Sequence, residues 1–383
     1  MKKKNTAIQP NEIVDYLTSK GIQLEEAELE DLIERLNLEI NESIKRQKNK
    51  KRINQNDSAK ESSPAKSILN SDQIETLPAW VSAVLDDSLI VGSSKRVVQT
   101  PDGKKYHLGN PLNELSGGEW TFFLNSVLST RYPTSGPESF AHHIRKIHPS
   151  PKPPQLMKSI IEFFTKTNDH VLDYFMGVGG TLLGASLSNR QAVGIDLSKR
   201  YVNAYKQANH ELGLPEQSVI IGNSLDILSD PREHSKLLSE NKFSLIAIDP
   251  PYGDMMNREK TGEATKRNLD NSPTPFTDLD SDLGNLSLES FFPKFKESVE
   301  LSMRYLRDGG HIVVFIKDLQ PNASSTNLLH ARIIEDLASI QGVKYLGMKI
   351  WADLGVNLYP YGYPYSFVSN QIHQYIMFFK KVR

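Results

Sequence analysis

The stretch "AIDPPYGD", residues 247–254, places an acid, two prolines and an aromatic residue at the end of an apolar run. Pro250 and Pro251 fix φ and remove backbone N–H donors, so the remaining polar groups are acceptors, led by the Asp249 carboxylate and the Pro250 carbonyl. Tyr252 adds a flat ring. Two acceptors and a ring suit a planar base with an exocyclic amine, whose nitrogen they would prepare to attack a methyl group held in line. The other interpretation is a turn that ends a strand.

A second candidate site is "DYFMGVGGT", residues 173–181. It starts at Asp173 and turns through Gly177 and Gly179 into a helical pattern, and another acid, Asp196, ends the next apolar run. Glycines let the backbone approach a ligand closely, and an acid at the end of a second strand can accept both hydroxyls of a ribose. This arrangement favours a nucleoside-bearing cofactor over a purely structural turn, and a dinucleotide site would show the same features.

The elements that must position these residues follow from the hydrophobic pattern. Apolar runs alternate with stretches of helical periodicity, which predicts a parallel sheet with helices on both faces. The predicted strands cover residues 170–175, 191–196, 218–224, 243–251 and 311–318. Two further runs, residues 344–352 and 373–381, have no helical pattern between them and predict an antiparallel pair.

The acids lie at the ends of predicted strands, and the glycines follow directly after the first of them. Open parallel sheets bind ligands at the carboxyl ends of their strands, so these residues are expected to face one crevice. Asn223 follows the third strand and could hydrogen-bond an adenine edge; an ordinary turn residue is the equal alternative.

From about His148 to the C-terminus the chain resembles the S-adenosylmethionine-dependent DNA amino-methyltransferases, which make N6-methyladenine or N4-methylcytosine. The matching pieces are "HPSPKPP", "DYFMGVGGT", "GID", "DPPY" and "GGHIVVFIKD". The resemblance implies an α/β, Rossmann-like sheet of seven mostly parallel strands that ends in an antiparallel pair. It also implies S-adenosylmethionine as cofactor. By the resemblance, the cofactor is lined or held by Lys152, Asp173, Phe175, Gly177, Gly179 and Asp196, and residues 249–252 form the catalytic pocket.

The chain departs from the family pattern in the glycine turn and in its spacing. Tyr174 and Gly180 replace a common proline and threonine. Only about seventy residues separate the glycine turn from Asp249, which leaves no room for a separate target-recognition domain. The candidates for that role are the polar stretch at residues 253–287, the tyrosine-rich segment at residues 357–370, which could stack on bases or pack on itself, and residues 77–147.

The N-terminal part has a different composition. Residues 1–47 predict a helical hairpin, and the basic, polar residues 48–76 predict a disordered linker. Residues 77–383 are predicted to form the methyltransferase domain, divided into an N-terminal extension, 77–147, and a catalytic core, 148–383. Within the extension we expect a β-hairpin around Pro101–Gly103 and a helix that ends near Pro133.

Composition excludes some classes of function. The chain has 383 residues, a net charge of −1 and no cysteine, so disulfides, cysteine-ligated zinc and thiol catalysis are excluded. With no apolar run of membrane-spanning length and no signal-peptide pattern, we expect a cytoplasmic protein. No metal site is indicated, because His142, His143 and His148 cluster without a matching carboxylate pattern.

The leading hypothesis is a DNA methyltransferase that acts on the exocyclic amine of a flipped base. Asp rather than Ser before Pro-Pro-Tyr favours adenine N6 over cytosine N4. An RNA methyltransferase, such as a tRNA guanine-N2 enzyme, is the first alternative, since "DPPYG" also occurs there. A cofactor-binding but inactive protein that docks partners through its N-terminal helices is the second. DNA is the expected partner, together with a partner nuclease or a second copy of the chain.

Overall fold

The computed structural model describes residues 62–240, 242–254, 275–318, 328–360, 363–365, 367 and 369–383. The chain divides into two compact units, residues 1–109 and 110–383. The helical hairpin predicted at residues 1–47 lies outside the described residues, as does the first part of the predicted linker. The division falls inside the stretch predicted as an N-terminal extension of the methyltransferase domain.

The described part of the first unit has a four-stranded antiparallel sheet and three short helices. Its elements are β1 (Ser63–Pro64), α1 (Ala65–Ile68), α2 (Ser71–Glu75), α3 (Ala79–Ser82), β2 (Leu89–Val91), β3 (Val97–Gln99) and β4 (Lys105–His107). The predicted β-hairpin is confirmed, since β3 pairs antiparallel with β4. Residues 63–75, which composition assigned to a linker, belong to this folded unit because Ala65 and Leu69 are buried in its small core beside Ile90 and Val98.

The second unit is built on an eight-stranded sheet in the order β5-β11-β12-β10-β9-β6-β7-β8. Its strands are β5 (Val127–Thr130), β6 (His170–Asp173), β7 (Gln191–Asp196), β8 (Ser218–Ile221), β9 (Phe243–Ile248), β10 (Leu306–Ile316), β11 (Val343–Asp353) and β12 (His373–Lys381). Its helices are α4 (Gly117–Phe123), α5 (His142–Arg145), α6 (Pro154–Phe164), α7 (Gly180–Leu187), α8 (Lys199–Leu212), α9 (Ser224–Ser229), α10 (Leu288–Ser302) and α11 (Leu329–Ala338).

Both faces of the central strands are buried, which is why their sequences are continuous apolar runs rather than alternating ones. Along β9, Ile246 and Ile248 point into a core formed with α9, α10 and α11. Leu245 and Ala247 point into a second core formed with α6, α7 and α8. The predicted helix-covered parallel sheet is therefore present. Across the described ranges, no helix is long and apolar enough to cross a membrane.

The predicted antiparallel pair is also confirmed. β12 pairs antiparallel with β11 on one side and with β10 on the other. Seven of the eight strands correspond to the expected arrangement, and the eighth, β5, lies parallel to β11 at the edge of the sheet.

β5 corrects the prediction of one helix that ends near Pro133. The helix, α4, stops at Phe123 because Lys349 of β11 donates hydrogen bonds to the carbonyls of Phe123 (2.5 Å) and Asn125. The chain then turns and adds β5 to the sheet, where the indole of Trp351 donates to the Thr130 hydroxyl at 2.7 Å. Tertiary contacts with β11 thus override the local helical pattern.

Glycines on α7 set how closely this helix approaches the segment before β6. A Cβ on Gly180 would lie 2.6 Å from the carbonyl oxygen of Lys152. A Cβ on Gly184 would lie 2.8 Å from the backbone nitrogen of Lys158 and 2.9 Å from the Cβ of Met157. The replacement of the family's threonine by Gly180 therefore has a packing reason in this chain.

We predict that Gly184→Ala destabilises the second unit by about 1–3 kcal/mol, because α6 and α7 must separate to admit the new methyl group. Gly118→Ala is the matched control, since Gly118 also lies in a helix and a Cβ there meets nothing within 4 Å. The control should be neutral or up to about 1 kcal/mol more stable. Denaturant unfolding of the full chain measures both, and equal stability of the two variants would contradict the close α6–α7 contact.

Candidate active site

A cavity of about 520 Å³ opens at the carboxyl ends of the parallel strands, within the usual size range of small-molecule sites. Most of the candidate residues line it, namely Phe175, Gly177, Asp196, Asn223, Asp249, Pro250, Pro251 and Tyr252. Lys152 and Asp173 line an adjoining cavity of about 30 Å³, which shares Phe175, Gly177 and Asp249 with the larger one. Gly179 lines neither of these two cavities. The glycine turn at residues 173–181, called the glycine bend below, and the "DPPY" corner at residues 249–252 thus face a common cleft.

Asp249 is held by two side chains. The ammonium group of Lys152 lies 2.5 Å from Asp249 Oδ2, and the hydroxyl of Tyr252 donates to Asp249 Oδ1 at 2.8 Å. Burial, reinforced by the neighbouring Asp249 charge, raises the pKa of Tyr252 well above its ordinary value, so the hydroxyl stays protonated and keeps donating. Sequence reasoning expected the flat face of Tyr252 and a cofactor contact for Lys152; it did not foresee either bond to Asp249.

Lys152 is itself positioned by a buried arginine that sequence reasoning missed. The guanidinium of Arg145, at the end of α5, donates two hydrogen bonds, of 3.1 and 3.0 Å, to the backbone carbonyl of Lys152. Burial lowers the pKa of Arg145 to about 10, which still leaves the group charged. Its only sequence signal was its place seven residues before Lys152, in a histidine-rich stretch that had no assigned role.

The glycine bend supplies backbone donors to the two acids. Gly177 has φ +49° and Gly179 has φ +74°, conformations that favour glycine. The N–H of Gly177 donates to Asp196 Oδ2 at 2.7 Å, and the N–H of Ser198 donates to Asp196 Oδ1 at 2.7 Å. Each oxygen keeps a second lone pair for a ligand.

Gly179 has a packing role instead of a lining one. A Cβ at this position would lie 2.2 Å from the ring of Tyr205. The bend can therefore approach α8 only with glycine at this point.

Both acids carry raised pKa values because burial penalises the ionised form. The pKa of Asp173 rises to about 7, although the Thr181 side chain and the N–H of Phe175, which donates at 3.1 Å, favour the carboxylate. The pKa of Asp196 rises to about 6, against the effect of its two backbone donors. Such shifts are typical of functional sites.

His148 forms part of the wall between the two cavities. Its ring packs edge-on against Tyr201, with centroids 4.8 Å apart, and stacks on Phe276 at 5.2 Å. Burial lowers the pKa of His148 to about 4; the Asp249 charge opposes this shift and Lys152 reinforces it. The imidazole is therefore a neutral aromatic surface at neutral pH. In the described part of the chain no cluster of three metal-ligating side chains occurs.

Asn223 has the structural role that was one of its two predicted interpretations, a residue in the turn after β8. It is the N-cap of α9, where its side-chain oxygen accepts from the N–H of Leu225 at 3.0 Å. The same residue lines the larger cavity, so its amide nitrogen remains available to a ligand.

The far wall of the cavity comes from the segment between β11 and β12 and from the start of β12. Its lining residues include Asn357, Tyr359, Asn370 and Gln371 of the segment and Gln374 of β12. The side chain of Asn370 pins this segment: it accepts from the Tyr359 N–H at 2.8 Å and donates to the Tyr359 carbonyl at 2.7 Å. Beyond the pin, Tyr363, Tyr365 and Phe367 are 80%, 93% and 93% exposed. Of the other predicted recognition segment, residues 255–274 lie outside the described residues.

We predict that Asp173→Asn removes a pH-dependent part of the stability. A raised folded-state pKa means that folding favours the protonated acid, so this contribution is fully present below about pH 4 and is lost as pH rises through about 7. Asparagine keeps the shape without the charge and should stabilise the protein at pH 8 by on the order of 2 kcal/mol. Denaturant unfolding at pH 5 and pH 8 measures the effect.

Asp280→Asn is the control, because Asp280 is exposed. It should leave the difference between the two pH values as it is in the wild type. A control that flattens the pH dependence as much as Asp173→Asn would show that the effect does not come from the buried acid.

Curated proteins with similar sequences include RNA and DNA methyltransferases. The chain is 31% identical over 149 residues to the tRNA (guanine(10)-N2)-dimethyltransferase of Methanocaldococcus jannaschii, a match that covers 39% of this chain and 41% of that protein. It is 34% identical over 111 residues to the Type II methyltransferase M1.MboII of Moraxella bovis, which covers 29% and 38%. The matches thus span about two fifths of the length of these relatives.

Solved structures that align with the chain include the crystal structure of TrmN from Thermus thermophilus. The TM-score is 0.41 at 14% sequence identity, over 65% of this chain and 55% of that one. A SAM-dependent methyltransferase from Aquifex aeolicus aligns with a TM-score of 0.35 at 14% identity, over 63% of this chain and 97% of that one.

A family model described as DNA methylase matches residues 14–207, just over half of the chain. The matched residues include the "HPSPKPP" segment, the glycine bend and both buried acids, Asp173 and Asp196. This match confirms the family resemblance that the sequence motifs indicated. The chain therefore belongs to the DNA methylase family.

Proposed function

We propose that the protein methylates DNA at the exocyclic amine of a base that is flipped out of the helix, with adenine N6 favoured over cytosine N4. The observation that carries the proposal is the shared cleft: Asp249 and the residues of the glycine bend line the same cavity. A methyl donor and a target amine that are bound in the same cleft are already close to each other. Positioning of the two reactants would supply most of the rate gain in methyl transfer.

The residues of the glycine bend fit the cofactor. The bend carries no Cβ at Gly177, where one would lie 3.3 Å from the His148 ring, so the backbone borders the cavity directly. Asp196 would hold the ribose hydroxyls through the lone pairs that its backbone donors leave free. Asp173, Phe175 and Gly177 would line the remainder. When bound there, S-adenosylmethionine supplies an electrophilic methyl group.

The "DPPY" corner would hold the target base. Asp249 and the Pro250 carbonyl would be the acceptors for the two N–H groups, and the proton that the amine loses on methylation would pass by way of the Asp249 carboxylate to solvent. Because Lys152 and Tyr252 fix the Asp249 carboxylate in place, the acceptor is oriented before the base arrives. Lys152 would thus act on the target side of the cleft as well as bordering the cofactor side.

A guanine-N2 methyltransferase of tRNA is the second candidate. It is favoured by the curated relatives, since tRNA (guanine(10)-N2)-dimethyltransferases of Methanocaldococcus jannaschii and Pyrococcus abyssi both match this chain. Guanine also presents an exocyclic amine, so the Asp249 pocket alone does not separate the two. A partner nuclease or a second copy of the chain stays a prediction.

We predict that Asp249→Asn lowers methyl transfer at least 100-fold and leaves the dissociation constant of S-adenosylhomocysteine within about threefold of wild type. The reason is that the variant keeps the side chain's shape but loses the charged acceptor, whose hydrogen bonds are the strong ones. The assay is mass spectrometry of N6-methyladenine and N4-methylcytosine in digested plasmid DNA, with calorimetry for the cofactor product. Transfer of labelled methyl to tRNA but not DNA would favour the second candidate.

An active Asp249→Asn variant would refute the catalytic role given to Asp249. A wild-type protein that binds the cofactor product but methylates neither DNA nor tRNA would support the inactive binding protein considered from sequence. Asp308→Asn, a change of the same kind at an exposed site outside the predicted recognition segments, serves as the control.

The exposed aromatic side chains beyond the Asn370 pin provide a surface for nucleic acid. Tyr363, Tyr365 and Phe367 are almost fully exposed, whereas Tyr359 of the same segment lines the cavity. An aromatic face can stack on an unpaired or exposed base, at about 1–3 kcal/mol per base. The position of this surface beside the cavity mouth favours stacking on the nucleotides next to the flipped base.

We predict that Tyr365→Ala with Phe367→Ala raises the KM for DNA about 10-fold or more while kcat and the affinity for S-adenosylhomocysteine stay near wild type. Phe122→Ala is the matched control, because Phe122 is an exposed aromatic residue on α4 that lines neither cavity. Steady-state kinetics on one oligonucleotide substrate decides between them. An unchanged KM would remove this segment from the binding surface.

A further inference from the structure

Gln374 has a buried amide oxygen that forms no hydrogen bond within the described residues. Its side chain lines the 520 Å³ cavity together with Asp249 and Tyr252. Buried polar atoms are nearly always paired in folded proteins, and an unpaired one costs stability. An orphaned amide beside a reaction cleft therefore points to a ligand group as its partner.

The sheet register places Gln374 on the target side of the cleft. Gln374 pairs with Trp351 of β11, and its neighbour Tyr375 pairs with Ile316 of β10. Because β10 and β12 are antiparallel, Lys317, directly after Ile316, lies opposite Gln374. Lys317 lines the same cavity. β10 is followed in the sheet by β9, which leads directly into Asp249, whereas the acids of the cofactor side end β6 and β7.

We propose that Gln374 determines base specificity by hydrogen-bonding the ring edge of the target base beside its exocyclic amine. This inference rests on the proposed function and deepens it. A carboxamide offers one donor and one acceptor on the same plane, and its two ends exchange by rotation about the last side-chain bond. Glutamine is a common partner of adenine in DNA readout for this reason.

The three candidate bases differ at this edge. Adenine and cytosine present a ring nitrogen acceptor beside the amine, so the Gln374 amide would have to donate. Guanine presents a ring N–H beside its N2 amine, so the Gln374 oxygen would have to accept. Gln374→Glu replaces the donor by a second acceptor, so it should weaken the contact with adenine or cytosine but keep the contact with guanine. Gln374→Leu removes donor and acceptor together and does not distinguish the bases.

The test compares Gln374→Leu and Gln374→Glu on single-stranded oligonucleotides that carry one target adenine. We expect both variants to lose about 10- to 100-fold in kcat/KM, with Glu at least as impaired as Leu, while S-adenosylhomocysteine affinity and melting temperature stay near wild type. Gln207→Glu, the same change on an exposed position of α8, should behave as wild type.

Analogues that lack one ring nitrogen, 1-deazaadenine and 7-deazaadenine, identify the contacted atom. If the missing ring nitrogen is the contacted atom, wild type should lose as much activity on that analogue as Gln374→Leu loses on adenine. Gln374→Leu should lose no further activity on the analogue. Fully additive losses with both analogues, or wild-type activity in Gln374→Leu, would overturn the inference.

A role of Gln374 in reading the target base does not require that this base is adenine. If the wild-type enzyme methylates guanine instead, loss in Gln374→Leu with activity kept in Gln374→Glu would still assign base reading to Gln374. On that substrate, an unaffected Gln374→Leu variant would overturn the inference.

Discussion

The ion pair between Lys152 and Asp249 is the constraint on which the site depends. It joins the segment before β6 to the end of β9, 97 residues later in the chain, and it is largely buried. Removing one member of a buried pair leaves the other charge uncompensated, at about 3–5 kcal/mol. Arg145 fixes the Lys152 backbone, and Gly180 leaves room for the Lys152 carbonyl. The two halves of the cleft are therefore held in register by a few side chains rather than by the sheet alone.

The sequence was sufficient for the parallel sheet and the shared cleft, because buried strands leave long apolar runs and the polar residues follow directly after them. It was not sufficient for β5, because the helical pattern around Phe123 is local. The strand at Val127–Thr130 pairs with β11, more than 200 residues later, where Lys349 binds the Phe123 carbonyl at the end of the helix and Trp351 binds Thr130 of the strand. The role of Arg145 could not be predicted either. Its partner is the backbone carbonyl of Lys152, and every residue type has such a carbonyl.

Charge in the cleft is managed by burial as much as by pairing. Asp173 and Asp196 have raised pKa values, and His148 has a lowered one, so each of these groups is closer to neutrality than its type suggests. Asp249 differs in that it has an ammonium partner. The cleft thus contains two acids whose pKa values are raised by burial beside one that is paired with an ammonium group. That difference is consistent with separate tasks for the cofactor and target sides.

The hairpin of β11 and β12 provides the far wall from one continuous segment. The two strands pair over nine positions and anchor residues 354–372 firmly at both ends. By contrast, β6 and β7, which carry the glycine bend and its acids, lie on the opposite side of the sheet order. Under the proposed function, changes in the length or sequence of this single connection would therefore alter which substrate is accepted without changing the residues that hold the cofactor. Divergence between related enzymes is expected to concentrate there, and exchange of this connection offers a route to new preferences on an unchanged scaffold.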